Sequence, residues 1–420
     1  MRLILFEDAD AARNFHPLAC LRPVFELRCG RTLLREKVER AAGRAMDGAF
    51  MRPEVARAYA ARRGVPVNDP ALLDGDDLLL VNGRWLLADE SALSLEGPET
   101  AARSGGALAY VRILKETAAR LDKSAFEAFL AKAARAVPVQ EIEARILAWP
   151  WELPLANAGA IEDDFRRLGM DGVEGRMSDC AAIWGPEERV FVAESAVVEP
   201  FACLDTTGGP VIVEEGARIH PFSRIEGPAV VGRDSLVLGA KIRAGTTVGP
   251  VCRVGGEVEE SVIHGFSNKY HDGFLGHAYV GEWVNLGALT TNSDLKNDYA
   301  NVEAYVRGEL VDTGSPKVGC CIGDHTKTSI GTLLNTGTMV GAMCNVMGAG
   351  SILPKDIPCF VLYMEGKFHR QGLKALFATA RTAMSRRGEE LTPEDEEMIA
   401  AHMEETREER NRAIKKSRQA

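Results

Sequence analysis

Apolar positions change their rhythm twice along the chain. The first strong run, "LILF" at residues 3–6, is closed by Glu7 and Asp8. Such a run fits a strand buried on both faces of a parallel sheet. "DDLLLVNGRWLL" reads as a second strand that ends in a turn at Asn82-Gly83. "LRPVFELRCGRTLLREKVERAAG" runs from an irregular loop into a helix, and "SAFEAFLAKAARAV" has helical periodicity. Strands alternating with helices predict an α/β, Rossmann-like layer domain over residues 1–182.

From about residue 185 glycine, valine and proline rise, and apolar residues recur every six positions. Ile219 and Ile225 are six apart, as are Leu236, Ile242, Val248 and Val254, then Val280 and Leu286. A last series runs Ile322, Thr328, Leu334, Val340, Val346 and Ile352. Neither a helix nor a strand alternation has that period, whereas a hexapeptide β-helix does, with one inward side chain on each face of a triangular prism. A Gly-rich β-sandwich would instead show two-residue alternation. The prediction is a parallel β-helix over residues 183–365. Its register breaks between Val254 and Val280, which reads as an insertion on one face. Residues 366–420 form a charged tail, in which Thr392-Pro393-Glu394-Asp395 predicts a helix start.

Composition narrows the function classes. Hydrophobic residues make up 46% and charged residues 26%, enough to fill a core. A formal charge of −10 argues against a general nucleic-acid binder. The nine cysteines are scattered without a CxxC pair, which reads as reduced thiols in a cytoplasmic protein. The "LILF" run is too short for a signal peptide, and no apolar run reaches the length of a membrane span.

Candidate chemistry concentrates in "HGFSNKYHDGFLGH", residues 264–277. One reading is a metal cage of His264, His271 and His277. Their spacings of seven and six residues put them on different faces of a regular prism, so the imidazoles would diverge. A second reading is acyl transfer, with an imidazole taking the proton of an attacking amine, backbone N–H groups holding the oxyanion and lysines nearby holding a phosphate. A structural, hydrogen-bonded histidine is the third.

The residues from 254 to 300 resemble the left-handed β-helix acyltransferases, most closely the acetyltransferase half of the bifunctional GlmU family. His271 is followed by "VNLGALTTNSDLK", which puts Asn285, Ala288, Asn292 and Lys296 on the matching positions. The resemblance implies His271 as general base and Asn285 as the residue that contacts the sugar or orients the base. It implies Ala288 beside the acetyl-CoA thioester, Asn292 positioning the sugar, and Lys269 and Lys296 as phosphate or carboxylate partners. Two departures bear on the identity of the sugar. Phe274 stands where a tyrosine is expected, and the segment from Asn285 to Asn292 is one residue short.

The N-terminal region is similar, more distantly, to the sugar-nucleotidyltransferase domain of the same family. "FEDADAARNF" replaces the Gly-rich nucleotide loop, and Val24 stands where a lysine is expected, with Arg22 just before Pro23. Asn82 and Asn157 fall on the family's two metal-ligand positions, and Arg22 and Arg28 become candidate triphosphate contacts. The resemblance thus implies N-acetylation of an amino-sugar 1-phosphate by acetyl-CoA, paired with Mg²⁺-dependent nucleotidyl transfer from UTP or dTTP. It also implies a homotrimer. The alternatives are a regulatory or scaffold protein that binds a sugar nucleotide through a degenerate N-domain, and a zinc enzyme of the γ-carbonic-anhydrase type.

Overall fold

A computed structural model describes residues 1–348 and 350–419. They form two compact units: Met1–Phe15, Arg22–Leu27 and Thr32–Ala148 in the first, and His16–Leu21, Arg28–Arg31 and Trp149–Ala420 in the second.

The first unit is built on a six-stranded sheet. Its strands follow the order Gly48–Phe50, Arg2–Phe6, Leu78–Asn82, Ala107–Ile113, Thr100–Ser104 and Val139–Glu141. Arg2–Phe6 lies parallel to both neighbours, and Ala107–Ile113 runs antiparallel to its own. Ile4, Phe6, Leu78 and Leu80 pack in one cluster with Phe129 and Ala133 of the helix Phe126–Ala136. Leu3, Leu5 and Leu79 alternate with them and are equally buried, which is why the first strand reads as an unbroken apolar run. Just beyond that strand the Glu7 carboxylate accepts the Val24 N–H at 2.6 Å and pairs with Arg52 at 3.1 Å, both side chains buried.

The second unit is a left-handed parallel β-helix with α-helices after it. One face is a ten-stranded ladder from Gly172–Val173 to Asp356–Ile357. The other two begin as six-stranded ladders, Arg176–Met177 to Asn268–Lys269 and Ala182–Trp184 to Phe274–Gly276. The first coil strands therefore lie ahead of residue 183. Val213, Val231, Val248, Ile263, Val280, Ile322 and Val340 stack in one column. None of them is more than 1% exposed. Elsewhere the six-residue series slips by one position. Val237 rather than Leu236 is buried, and Leu353 rather than Ile352, which is 66% exposed.

The stretch expected as an insertion is instead a shortened turn. Val254 pairs directly with Lys269, fifteen residues on, and Val248 with Ile263. The long turn comes next, from Val280 to Ile322. It holds an arm whose hairpin pairs Glu303–Val306 with Glu309–Asp312.

After an antiparallel pair, Val361–Met364 with Lys367–Arg370, come the helices Leu373–Ser385, Pro393–Glu405 and Arg407–Gln419. Leu376, Ala380 and Met384, four apart, form the buried stripe of the first. Thr392 and Asp395 cap the second reciprocally, with Pro393 in its first turn. Ile414 of the third joins the coil's core, so the charged tail is docked rather than solvated all round. No helix among the described residues is long and apolar enough to cross a membrane.

Candidate functional site

The shortened turn determines what becomes of the histidine-rich stretch. Lys269 stands in the inward column of Val254 and is 3% exposed. Its ammonium donates to the carbonyls of Gly255 and His271, each at 2.9 Å. Burial lowers it to about 8, against the opposing pull of the Asp272 carboxylate. Expected as a ligand contact, Lys269 instead fastens the corner on which His271 stands. His271 itself is exposed, its ring 5.1 Å from that of Tyr270. Among the described residues none hydrogen-bonds its imidazole.

His271 opens onto a groove of about 570 Å³ that Asn285, Ala288, Arg253, Asn268 and Arg387 also line. A second hollow of about 540 Å³ shares Asn268, Asn285, Arg386 and Arg387 and adds Trp283, Lys327 and Thr382. Asn268, Asn285 and Lys327 succeed one another up one face of the coil. Asn268 donates to Asn285 at 3.3 Å and accepts from Arg387 at 3.0 Å. Arg386 and Arg387 directly follow the helix Leu373–Ser385. Burial lowers the Arg387 pKa from its ordinary value, and the charges of Arg253 and Arg386 lower it further. Three guanidinium groups that repel one another in a groove form a site suited to a phosphate or carboxylate.

Other expected residues lie elsewhere. His264 is buried, its Nδ1 2.8 Å from the Tyr279 hydroxyl. His277 is buried between Asp294 and Glu260, each at 2.7 Å. With three different environments, the imidazoles form no metal cage. The Asn292 carboxamide accepts the Gly276 N–H and donates to the Gly276 carbonyl, both at 2.9 Å. It takes the place of a peptide unit in the ladder. Lys296 lies at the start of the arm, 3.5 Å from Asp298.

Of the four residues expected around a triphosphate, Arg22 and Asn82 fall in the first unit, Arg28 and Asn157 in the second. The Arg22 carbonyl accepts from Arg52 at 3.0 Å. Asn82 is 2% exposed, donates to the Leu108 carbonyl at 2.8 Å and accepts the Arg84 N–H at 2.9 Å. The Arg28 guanidinium donates to the His264 and Arg31 carbonyls. Asn157, wholly buried on the helix Glu152–Leu168, accepts from Gly30 N–H at 2.6 Å and donates to the Gly245 carbonyl at 2.8 Å. Gly30 has φ +75° and lies so close to that helix that a Cβ would fall 2.8 Å from Ala160 backbone atoms. Mg²⁺ favours carboxylates and retained water. Two enclosed carboxamides with these bonds already made do not fit it.

Sequence reasoning missed Arg253, Arg386 and Arg387. Arg253 could be found once the fifteen-residue turn is known, because it then stacks over Asn268. The tail arginines leave no such signal.

Residues 3–171 match the family model described as sugar nucleotidyl transferase. A bifunctional sugar-1-phosphate nucleotidylyltransferase/acetyltransferase of Sulfurisphaera tokodaii is 32% identical over 41% of this chain and 43% of its own length. The bifunctional protein GlmU of Heliobacterium modesticaldum is 30% identical over 53% of this chain and 48% of its own. The chain thus spans less than half the length of either relative. Among solved structures, the UDP-N-acetylglucosamine acyltransferase of Francisella novicida is 14% identical, over 52% of this chain and 75% of that one, with a TM-score of 0.22. Residues 3–171 thus resemble a sugar nucleotidyl transferase ahead of a hexapeptide-repeat coil, an arrangement similar to that of these bifunctional GlmU-type relatives.

Proposed function

We propose that the chain transfers an acetyl group from acetyl-CoA to the amine of an amino-sugar 1-phosphate in the groove around His271. The observation that carries this reading is the groove itself, where an exposed imidazole stands beside Asn285 and Ala288 with three arginines in reach of a phosphate. In the reaction His271 accepts an N–H proton as the amine nitrogen bonds to the thioester carbon. The C–S bond then breaks, and the CoA sulfur leaves and takes up a proton. Asn285 orients the sugar or the imidazole, and the small Ala288 leaves room for the thioester. Arg253, Arg386 and Arg387 hold phosphates of the sugar or of CoA. The bifunctional relatives support a second role, in which the N-terminal domain joins the acetylated sugar 1-phosphate to UTP or dTTP with release of pyrophosphate, Arg22 facing the phosphates. The active assembly is a homotrimer.

The buried Glu7–Arg52 pair and the engaged Asn82 favour a second reading for that domain, binding of a sugar nucleotide without turnover. Pyrophosphate release from UTP or dTTP separates the two. For the coil, the test is thiol release from acetyl-CoA with glucosamine 1-phosphate. The His271→Ala variant is expected to lose roughly 10²-fold or more, and unchanged release would overturn the role of His271.

A further inference from the structure

We propose that His16, Cys20, Cys359 and His402 bind one zinc ion as a closed structural site. Three segments of the second unit converge there. His16 and Cys20 belong to the short segment His16–Leu21, Cys359 follows the coil's strand Asp356–Ile357, and His402 lies near the end of the helix Pro393–Glu405. The ligand atoms of His16, Cys20 and His402 all lie within 4.8 Å of one another. The Cys20 and Cys359 sulfurs are 3.8 Å apart. Two Zn–S bonds of about 2.3 Å at a tetrahedral angle subtend about 3.8 Å between the sulfurs. The rings of His16 and His402 meet edge to face, their centroids 5.4 Å apart at 89°.

The surroundings match what zinc ligands need. His402 is 1% exposed, and its Nδ1 is 3.2 Å from the Glu405 carboxylate. Its Nε2 is buried without a hydrogen-bond partner. A histidine whose outer nitrogen holds a carboxylate presents the other nitrogen to a metal. The Ala342 N–H donates to Cys359 Sγ at 3.2 Å, as a backbone amide does to a metal-bound thiolate. Two thiolates with two imidazoles form a soft, four-donor set that selects zinc over magnesium or calcium. Binding releases both thiol protons to solvent. The site uses none of the residues of the His271 groove and leaves no open position for a substrate. Its role is to clasp the 16–20 segment, the end of the coil and the tail helix together.

The test measures metal in the full chain, purified without chelator, by mass spectrometry against protein concentration. About one zinc per chain is expected. Exchange with Co²⁺ is expected to give the thiolate charge-transfer band and visible bands of a tetrahedral Cys₂His₂ centre, a readout that needs no variant. The C20S/C359S double variant is expected to keep less than about a tenth of the zinc. A wild-type chain that holds no zinc and gives no tetrahedral Co²⁺ spectrum would overturn the site. So would an intact mass two hydrogens light with a non-reduced peptide map that joins Cys20 to Cys359, a disulfide in place of the metal.

Discussion

His277 is held inside the coil as a cation. Burial alone would lower its pKa, but Asp294 and Glu260 raise it to about 9. Its unfolded value is near 6.5, so the folded state binds the proton more tightly. The resulting stability is fully present below about pH 6.5 and is lost as pH rises through about 9. Its size is on the order of 2–3 kcal/mol. In urea unfolding, His277→Gln is expected to fall about 2 kcal/mol below wild type at pH 6, with the gap closing toward pH 9.5. An equal gap at both pH values would assign the loss to packing. Lys269 acts in the opposite direction. Its lowered pKa, about 8, makes the fold gain stability as pH rises from about 8 toward the ordinary lysine value. Asn292→Ala would strand the buried N–H and carbonyl of Gly276 together, at about 2–4 kcal/mol measured the same way. Asn292→Asp should be nearly as costly, since a carboxylate accepts from the N–H but cannot donate to the carbonyl.

At the scale of elements, the tail helix Pro393–Glu405 depends on its start. Thr392 Oγ1 accepts the Asp395 N–H at 3.2 Å, and the Asp395 carboxylate accepts the Thr392 N–H at 3.1 Å. Thr392→Ala is expected to lower stability by about 1 kcal/mol, with faster amide exchange confined to that helix. This cap was legible in the sequence because its residues are neighbours. So were the strands Arg2–Phe6 and Leu78–Asn82, whose apolar runs end in polar and turn residues, and the helix Phe126–Ala136. The coil was legible as a period, but a period does not fix phase. Leu236 and Ile352 sit one place off the buried column because each adjoins another aliphatic, Val237 and Leu353, that fills it. Lys269 hid a whole turn, since a lysine in an inward column erases the apolar mark that would have revealed it. The groove arginines and the Cys₂His₂ cluster come from segments more than a hundred residues apart in sequence, which no local spacing records.

At the scale of the whole molecule, two exposed aromatics are the expected contact points of the proposed trimer. Phe201 and Phe222 are 61% and 77% exposed, and their rings stack at 5.6 Å on successive turns. An apolar ladder of that kind is costly to leave in water. Sedimentation equilibrium is expected to give three chains per particle, and Phe222→Glu is expected to shift the distribution toward single chains. A wild-type chain that sediments as a monomer at micromolar concentration would exclude the assembly.

The long turn from Val280 to Ile322 has a consequence for how the coil comes apart. In a stack where each turn touches only its neighbours, stability is handed along by the ladders between adjacent turns. Across this turn the ten-stranded face pairs strand to strand, Val280 with Ile322. A second face crosses by the lone bridge of Asn285 with Lys327, and the third by the short pair of Thr291 and Asn292 with Leu333 and Leu334. With one of its three seams reduced to a lone bridge where the arm interrupts the stack, the coil should behave as two cooperative blocks. Under mild denaturant, amide exchange should quicken as one step after Ile322 while the turns before Val280 stay closed, the molecule opening at its arm like a book at its binding.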